Sequence, residues 1–164
     1  MRYNKIRKMD IADGPGVRVS IFMQGCRFNC KNCFNPETHD FNGGKEFTQE
    51  TIDQVLKLCE QDHIKGLSIL GGEPMHPTNI EGTKELAKQF KEHFPNKTVW
   101  AWSGYTFDKD LKDKEAMKYI DVLVDGNYID AQRNPKLEWR GSENQRVIDV
   151  QKSLAAGSVV KYVS

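Results

Sequence analysis

Cys26, Cys30 and Cys33 fall within eight residues, in the run Cys26-Arg27-Phe28-Asn29-Cys30-Lys31-Asn32-Cys33, and no fourth cysteine lies near them. Thiolates hold iron–sulfur clusters, ordinarily four to a cubane. Three on one short loop hold three irons and leave the fourth open to a substrate, so a 4Fe–4S cluster here would do chemistry and not only relay electrons. The competing readings are a structural zinc site and three ordinary buried thiols. A closed zinc site takes four ligands, typically as two paired half-sites, and no second C-x2-C or H-x3-H completes one.

The elements that must position this loop alternate along the chain. Val17 to Met23 is β-branched and aromatic and runs straight into Gly25-Cys26, as a strand entering a turn does. Thr48 predicts an N-cap, with Thr51 and no carboxylate three residues on, for a helix through Cys59 that turns Ile52, Val55, Leu56 and Cys59 to one face. Leu67 to Leu70 is a short buried strand ending at Gly71-Gly72. A helix follows from Asn79 to Phe94, with Leu86, Phe90 and Phe94 at fourfold spacing and Pro95 as its stop. Thr98 to Trp102 is a strand, a short polar helix covers about 110–118, Ile120 to Val124 is a strand, and Arg146 to Val150 can be one more. Trp100 and Trp102 are read on opposite faces of their strand, with at most one toward a lumen.

This alternation predicts an α/β fold with a parallel sheet. At 164 residues the chain is one domain, 1–164, with 151–164 a C-terminal tail of unassigned role. A complete eightfold barrel needs about 200 residues, so the expected architecture is a partial, open parallel β/α barrel. Cys26, Gly71-Gly72-Glu73-Pro74, Trp102 to Tyr105 and Asp125-Gly126 all follow the C-terminal ends of predicted strands, the edge where parallel α/β folds bind ligands. Adjacent glycines there let the backbone approach a ligand closely, and Glu73 offers an acceptor for a ligand ammonium. The same run, taken alone, reads equally as a plain turn.

Composition narrows the class. A net charge of +1 with 29% charged residues gives no electrostatic footprint for nucleic acid or an anionic membrane. No apolar run is long enough to span a bilayer, and Met1 to Arg7 lacks the apolar stretch of a signal peptide. Clustered cysteines without a secretion signal favour metal over disulfides and a reducing cytoplasm. Cys59 reads as core. His39, His63 and His93 read as surface residues, and His76 either shapes its loop or meets ligand.

The cysteine run together with Gly71 to Pro74 resembles the radical S-adenosylmethionine superfamily. More narrowly, the chain resembles the glycyl-radical-enzyme activases that serve anaerobic ribonucleoside-triphosphate reductase, over about residues 1–150. The resemblance rests also on Asp13 to Arg18, Trp102 to Tyr105, Asp121 to Gly126 and Trp139 to Arg146. It implies a 4Fe–4S cluster on Cys26, Cys30 and Cys33, and S-adenosylmethionine as the molecule at the open iron. It implies Asn32, Cys33, Phe34, Gly71, Gly72, Glu73 and Asp125 as candidate cofactor contacts. Many superfamily members carry an aromatic just before the third cysteine; here that position is Asn32 and the aromatic follows at Phe34. The implied reaction is reductive cleavage of S-adenosylmethionine to a 5′-deoxyadenosyl radical, which makes the glycyl radical on the large subunit of the reductase. A low-potential donor such as flavodoxin or ferredoxin supplies the electron. Trp139, Arg140, Asn144 and Arg146 are the expected docking surface, although Arg140 and Arg146 can instead pair locally, and Asp125 can instead cap a turn. The rival functions are activation of another glycyl-radical enzyme, such as formate acetyltransferase, and non-catalytic electron carriage.

Overall fold

The structure is a computed structural model that describes residues 1–26, 28, 33 and 36–163. Its strands are β1 (Arg2–Asp10), β2 (Val17–Met23), β3 (Lys45–Glu46), β4 (Ile64–Gly71), β5 (Thr98–Ser103), β6 (Val122–Asp125), β7 (Arg146–Asp149) and β8 (Lys161–Val163). Three helices, α1 (Gln49–Leu58), α2 (Ile80–His93) and α3 (Val150–Ala156), accompany them. All the strands join one sheet in the order β3-β1-β2-β4-β5-β6-β7-β8, and the sheet is open, with β3 and β8 at its ends.

The sheet is mixed where an all-parallel one was expected. β2, β4, β5 and β6 run parallel, while β1 and β3 on one flank and β7 and β8 on the other pair antiparallel. The reason on the first flank is loop length. Residues 11–16 join β1 to β2, and a parallel connection takes a dozen or more residues. β1 itself gave no strand signal, because Arg2, Lys5, Arg7 and Lys8 break any apolar alternation in it. The expected tail is part of the fold: α3 and β8 complete the second flank on β7.

Strand periodicity divides the side chains into two layers. Val19, Ile21 and Met23 of β2, Leu67 and Ile69 of β4 and Val99 and Ala101 of β5 enter one core with Ile52, Val55, Leu86 and Phe90 of the helices. Trp100, Val122, Val124 and Val147 form a second, smaller cluster, against which Trp102 and Trp139 pack. This overturns the expectation that Trp100 and Trp102 face apart. Side chains two residues along a strand share a face, and the two indole centroids lie 5.9 Å apart.

The helices begin as their caps require. Thr48 is extended at the N-cap of α1, and its N–H donates to Thr51 Oγ1 at 3.0 Å, so a hydroxyl does what a capping carboxylate would. α2 turns Leu86, Ala87 and Phe90 to the core, and truncating a buried leucine such as Leu86 to alanine costs about 3 kcal/mol. The polar helix expected near 110–118 is instead two short turns, 107–111 and 115–119, held by buried Phe107, Leu111, Ala116 and Met117.

Candidate functional site

The C-terminal ends of β2, β4, β5 and β6 lie on one edge, and the turns after them are tied to one another. After β2, Gly25 donates to Thr38 O at 2.6 Å and Cys26 N–H donates to His39 O at 3.2 Å. Gly25 has φ +106°, and the Phe41 ring lies where a side chain would stand. After β4, Glu73 N–H donates to Gly25 O at 2.8 Å, and Gly72 N–H donates to Thr38 Oγ1 at 2.6 Å. Asn79 Nδ2, at the head of α2, closes the knot by donating to Gln24 O at 3.1 Å and Glu73 O at 3.0 Å. The stem of the cysteine loop is thereby fixed to the Gly-Gly turn by backbone hydrogen bonds and by the side chains of Thr38 and Asn79.

These turns form one side of a cleft of about 610 Å³, lined by Cys26, Cys33, Gly71, Gly72 and Glu73 and, opposite, by residues of the stretch 126–145. Cys26 and Cys33 thus line one cavity. Cys30, Asn32 and Phe34 lie outside the described residues. Cys59 is fully buried in the helix-side core, where burial pushes its thiol up to about 12, so it is no fourth ligand of this site. Two cysteines lining the cleft, with the third cysteine of their loop between them in sequence, are the soft donor set an iron–sulfur cluster takes.

Glu73 does not offer a free acceptor. It is 1% exposed, and its Oε1 accepts from Gly104 N–H at 2.6 Å while Oε2 accepts from Ser103 Oγ at 2.7 Å and Met75 N–H at 2.9 Å. It locks the turn after β5 to the turn after β4. Burial raises its carboxyl to about 7 in spite of these donors. Gly72 lines the cleft as expected for a ligand contact, and a Cβ there would stand 2.7 Å from Gly25 O, 2.8 Å from Met23 O and 3.0 Å from Thr38 O. Its missing side chain serves the packing of the loops. His76 accepts from Thr78 N–H through Nδ1 at 3.0 Å and so shapes its own turn.

Residues the sequence reading passed over complete the floor. Arg18, fully buried, donates to Ser68 Oγ, Leu67 O, Pro15 O and both oxygens of Thr98, and Ser68 Oγ in turn donates to Asp13 O at 2.6 Å. The loop 11–16 folds around this guanidinium, which burial lowers to about 10, and brings Asp13 to the cleft. Burial, and then a hydrogen bond and charge from Asp10, raise Asp13 to about 7.

The far wall is held by side chains. Asp125 is 1% exposed; it accepts from Phe107 N–H at 2.8 Å and from Arg146 through both oxygens, Nε at 3.0 Å and Nη2 at 2.6 Å. Arg146 reaches Asp108 as well, at 2.8 Å. Of the two readings open for Asp125, ribose contact or turn cap, the geometry favours the cap, with a paired cation besides. Arg146 takes the local pairing that stood as the alternative to docking. Asn144 Nδ2 donates to Asn127 O at 2.7 Å, and Trp139 packs in the aromatic cluster with its carbonyl accepting from Trp102 Nε1 at 2.7 Å. Trp139 and Arg140 line the cleft. Gln145 Oε1 accepting from the nearby Gly141 and Ser142 N–H groups is the local pattern that was available as a signal for this wall.

A match over residues 12–148 to the 4Fe-4S single cluster domain gives the class to which this fold and cysteine cleft correspond. Relatives narrow it. The chain is 41% identical over 148 residues to the anaerobic ribonucleoside-triphosphate reductase-activating protein of Vibrio cholerae, covering 88% of this chain and 96% of that protein. It is 40% identical to the protein so named in Enterobacteria phage T4 (90% and 93% covered) and 36% identical to that of Escherichia coli K12 (90% and 97%). The chain belongs to this family of reductase-activating proteins, and its cofactor is a 4Fe–4S cluster. Among the described residues no helix is long and apolar enough to cross a membrane.

Proposed function

We propose that this chain is the activase of an anaerobic ribonucleoside-triphosphate reductase and that its half-open sheet is a radical S-adenosylmethionine partial barrel. The observation that carries the reading is the meeting of Cys26 and Cys33 with Gly71-Gly72 in one cleft, in a chain of the activating-protein family. Cys26, Cys30 and Cys33 are the ligands of the cluster. When bound, the cluster supplies one low-potential electron, which divides S-adenosylmethionine into methionine and a 5′-deoxyadenosyl radical that takes a hydrogen atom from a glycine of the reductase.

The chain's own residues bind, orient and keep the site dry. Phe22, Leu70, Trp102 and Trp139 give the cleft apolar walls, which suits a radical that water must not reach. Glu73, pinned to Ser103 and Gly104, holds the turns after β4 and β5 in register. Holding a sulfonium beside a cluster removes an entropic barrier that reaches roughly 7–11 kcal/mol in favourable cases. An external donor of the flavodoxin or ferredoxin kind delivers the electron, in the cytoplasm.

The test is anaerobic reconstitution with iron and sulfide, reduction with dithionite in the presence of S-adenosylmethionine, and chromatography for 5′-deoxyadenosine. Adding purified reductase should yield a glycyl radical by electron paramagnetic resonance. A cluster that forms and yields no 5′-deoxyadenosine makes the protein an electron carrier. 5′-Deoxyadenosine without radical on the reductase, but with radical on formate acetyltransferase, moves the target to that enzyme.

A further inference from the structure

Among the described residues that line the cleft, Arg140 alone holds a buried side-chain polar atom without a hydrogen-bond partner. Its Nε is buried and has no hydrogen-bond partner, although leaving a buried donor without a partner destabilises a fold. No carboxylate of the cleft is available to it. The acidic residues lining the cavity are Asp13 and Glu73. Glu73 is occupied by Ser103, Gly104 and Met75, and Asp13 is hydrogen-bonded to Asp10. Among the described residues Arg140 takes part in no ion pair, while Arg146, six residues on, has two.

The backbone around Arg140 is fixed at some expense. Trp139, immediately before it, has φ +63°, and among the described residues no other non-glycine has a positive φ. Such a conformation is strained and persists only where the surroundings impose it. They do so here: Trp102 Nε1 holds Trp139 O, and Gln145 Oε1 accepts from both Gly141 N–H at 2.9 Å and Ser142 N–H at 3.1 Å. Asn134 N–H donates to Gly141 O at 3.2 Å. A strained, over-determined turn thus presents a guanidinium with an idle N–H at a ligand cleft.

We propose that Arg140 is a carboxylate-binding residue of the cleft, its Nε–H and one Nη–H forming the fork for a carboxylate that the chain does not itself supply. A guanidinium matches a carboxylate through two parallel N–H···O bonds, which an ammonium cannot make. The proposal rests on the reading of this cleft as the S-adenosylmethionine site of an activase, and two sources of the group follow from that reading: the methionine carboxylate of S-adenosylmethionine, or a carboxylate of the reductase segment that enters the cleft. Either partner satisfies the orphan donor and relieves its cost only in the complex.

Cluster-loaded wild type, Arg140→Gln and Arg140→Lys separate the cases. Dissociation constants are measured anaerobically for S-adenosylmethionine by equilibrium dialysis and for the reductase by biolayer interferometry, after matching iron content and melting temperature. If the carboxylate is that of S-adenosylmethionine, Arg140→Gln weakens its binding roughly 10–100-fold, Arg140→Lys recovers only part, and affinity for the reductase is unchanged. If the carboxylate belongs to the reductase, the pattern is reversed. Wild type that binds both ligands, with neither affinity reduced in Arg140→Gln, overturns the proposal and leaves the activase reading intact. Wild type that binds neither overturns the activase reading, and the proposed ligand with it.

Discussion

The two walls of the cleft are built by opposite means. On the cysteine side the turns pack closely on one another: carbonyls of Met23, Gly25 and Thr38 stand where Gly72 would carry a side chain, the Phe41 ring stands over Gly25, and Thr38 Oγ1 and Asn79 Nδ2 close the knot. On the far side, side chains hold backbone: Asp125, Asn144, Gln145 and Ser142 supply acceptors and donors to turns that have no regular structure. One wall therefore fails when atoms are added, the other when atoms are removed. The side that carries Cys26 leaves no room for added atoms at Gly25 and Gly72, and the far side is shaped by side-chain hydrogen bonds.

Adding atoms to the rigid wall should give the largest effect. In Gly72→Val the new side chain meets three carbonyl oxygens that have nowhere to move, since each belongs to the knot around the cysteine loop. We expect destabilisation of at least about 3 kcal/mol and loss of iron after reconstitution, measured by denaturant unfolding and by iron assay. Full iron content in that variant would mean that the loop stem can open without cost, and the contrast between the walls would disappear.

Removing atoms from the other wall comes next. Asp125→Ala deprives Arg146 of a buried partner and Phe107 N–H of its acceptor, while Asp108 still holds the guanidinium from the exposed side. The expected cost is about 3 kcal/mol, with iron content unchanged and faster protease cutting within 126–145. Parallel loss of iron would show the two walls to be one cooperative unit.

The same contrast explains what the sequence disclosed. Parallel strands ending at Gly25-Cys26 and Gly71-Gly72 are legible because β-branched runs and glycine turns are local signals, and β2 lies where they put it. α1 and α2 were legible from their apolar spacing and their stops. β1 was not, because a strand rich in Lys and Arg is defined by its pairing with β2, a non-local fact. Nor was the employment of Glu73, since a charged side chain beside a glycine turn looks the same in sequence whether it meets a ligand or Ser103. For Arg146 local pairing stood open beside docking, and Asp125 takes it. Thr38 and Asn79, which tie the knot, carry no signal at all, since each acts on carbonyl and amide groups that the chain brings together only on folding.

A pH test reaches the floor between the walls. Asp13, raised from 3.8 to about 7 chiefly by burial and then by Asp10, binds its proton more tightly folded than unfolded. Its contribution is therefore fully present below about pH 4 and is lost as pH rises through about 7. Asp13→Asn keeps a donor toward Asp10 and removes the titration, so its melting temperature should fall less than that of wild type between pH 4 and 7. Glu73, raised to about 7 by burial, acts in the same direction and window, so the slope should be reduced and not abolished. Identical slopes in the two proteins would leave Asp13 with an ordinary carboxyl.

The smallest effect belongs to the thiol that lies behind both walls. Cys59 caps the end of α1 in the helix-side core, fully buried and outside the cleft that Cys26 and Cys33 line. Burial raises its thiol to about 12, and the thiolate is the form that binds metal and attacks electrophiles, so at neutral pH it does neither. Cys59→Ala should retain the iron of wild type and lose only about 1–2 kcal/mol of stability from the space left in the core, whereas alanine at Cys26, Cys30 or Cys33 should abolish cluster formation. In the folded apoprotein, iodoacetamide at pH 8 should modify cleft cysteines and spare Cys59 until denaturant is added. Mass spectrometry of the alkylated peptides decides this: rapid native labelling at Cys59, or an iron-poor Cys59→Ala protein, would place the fourth thiol in the chemistry and not behind it.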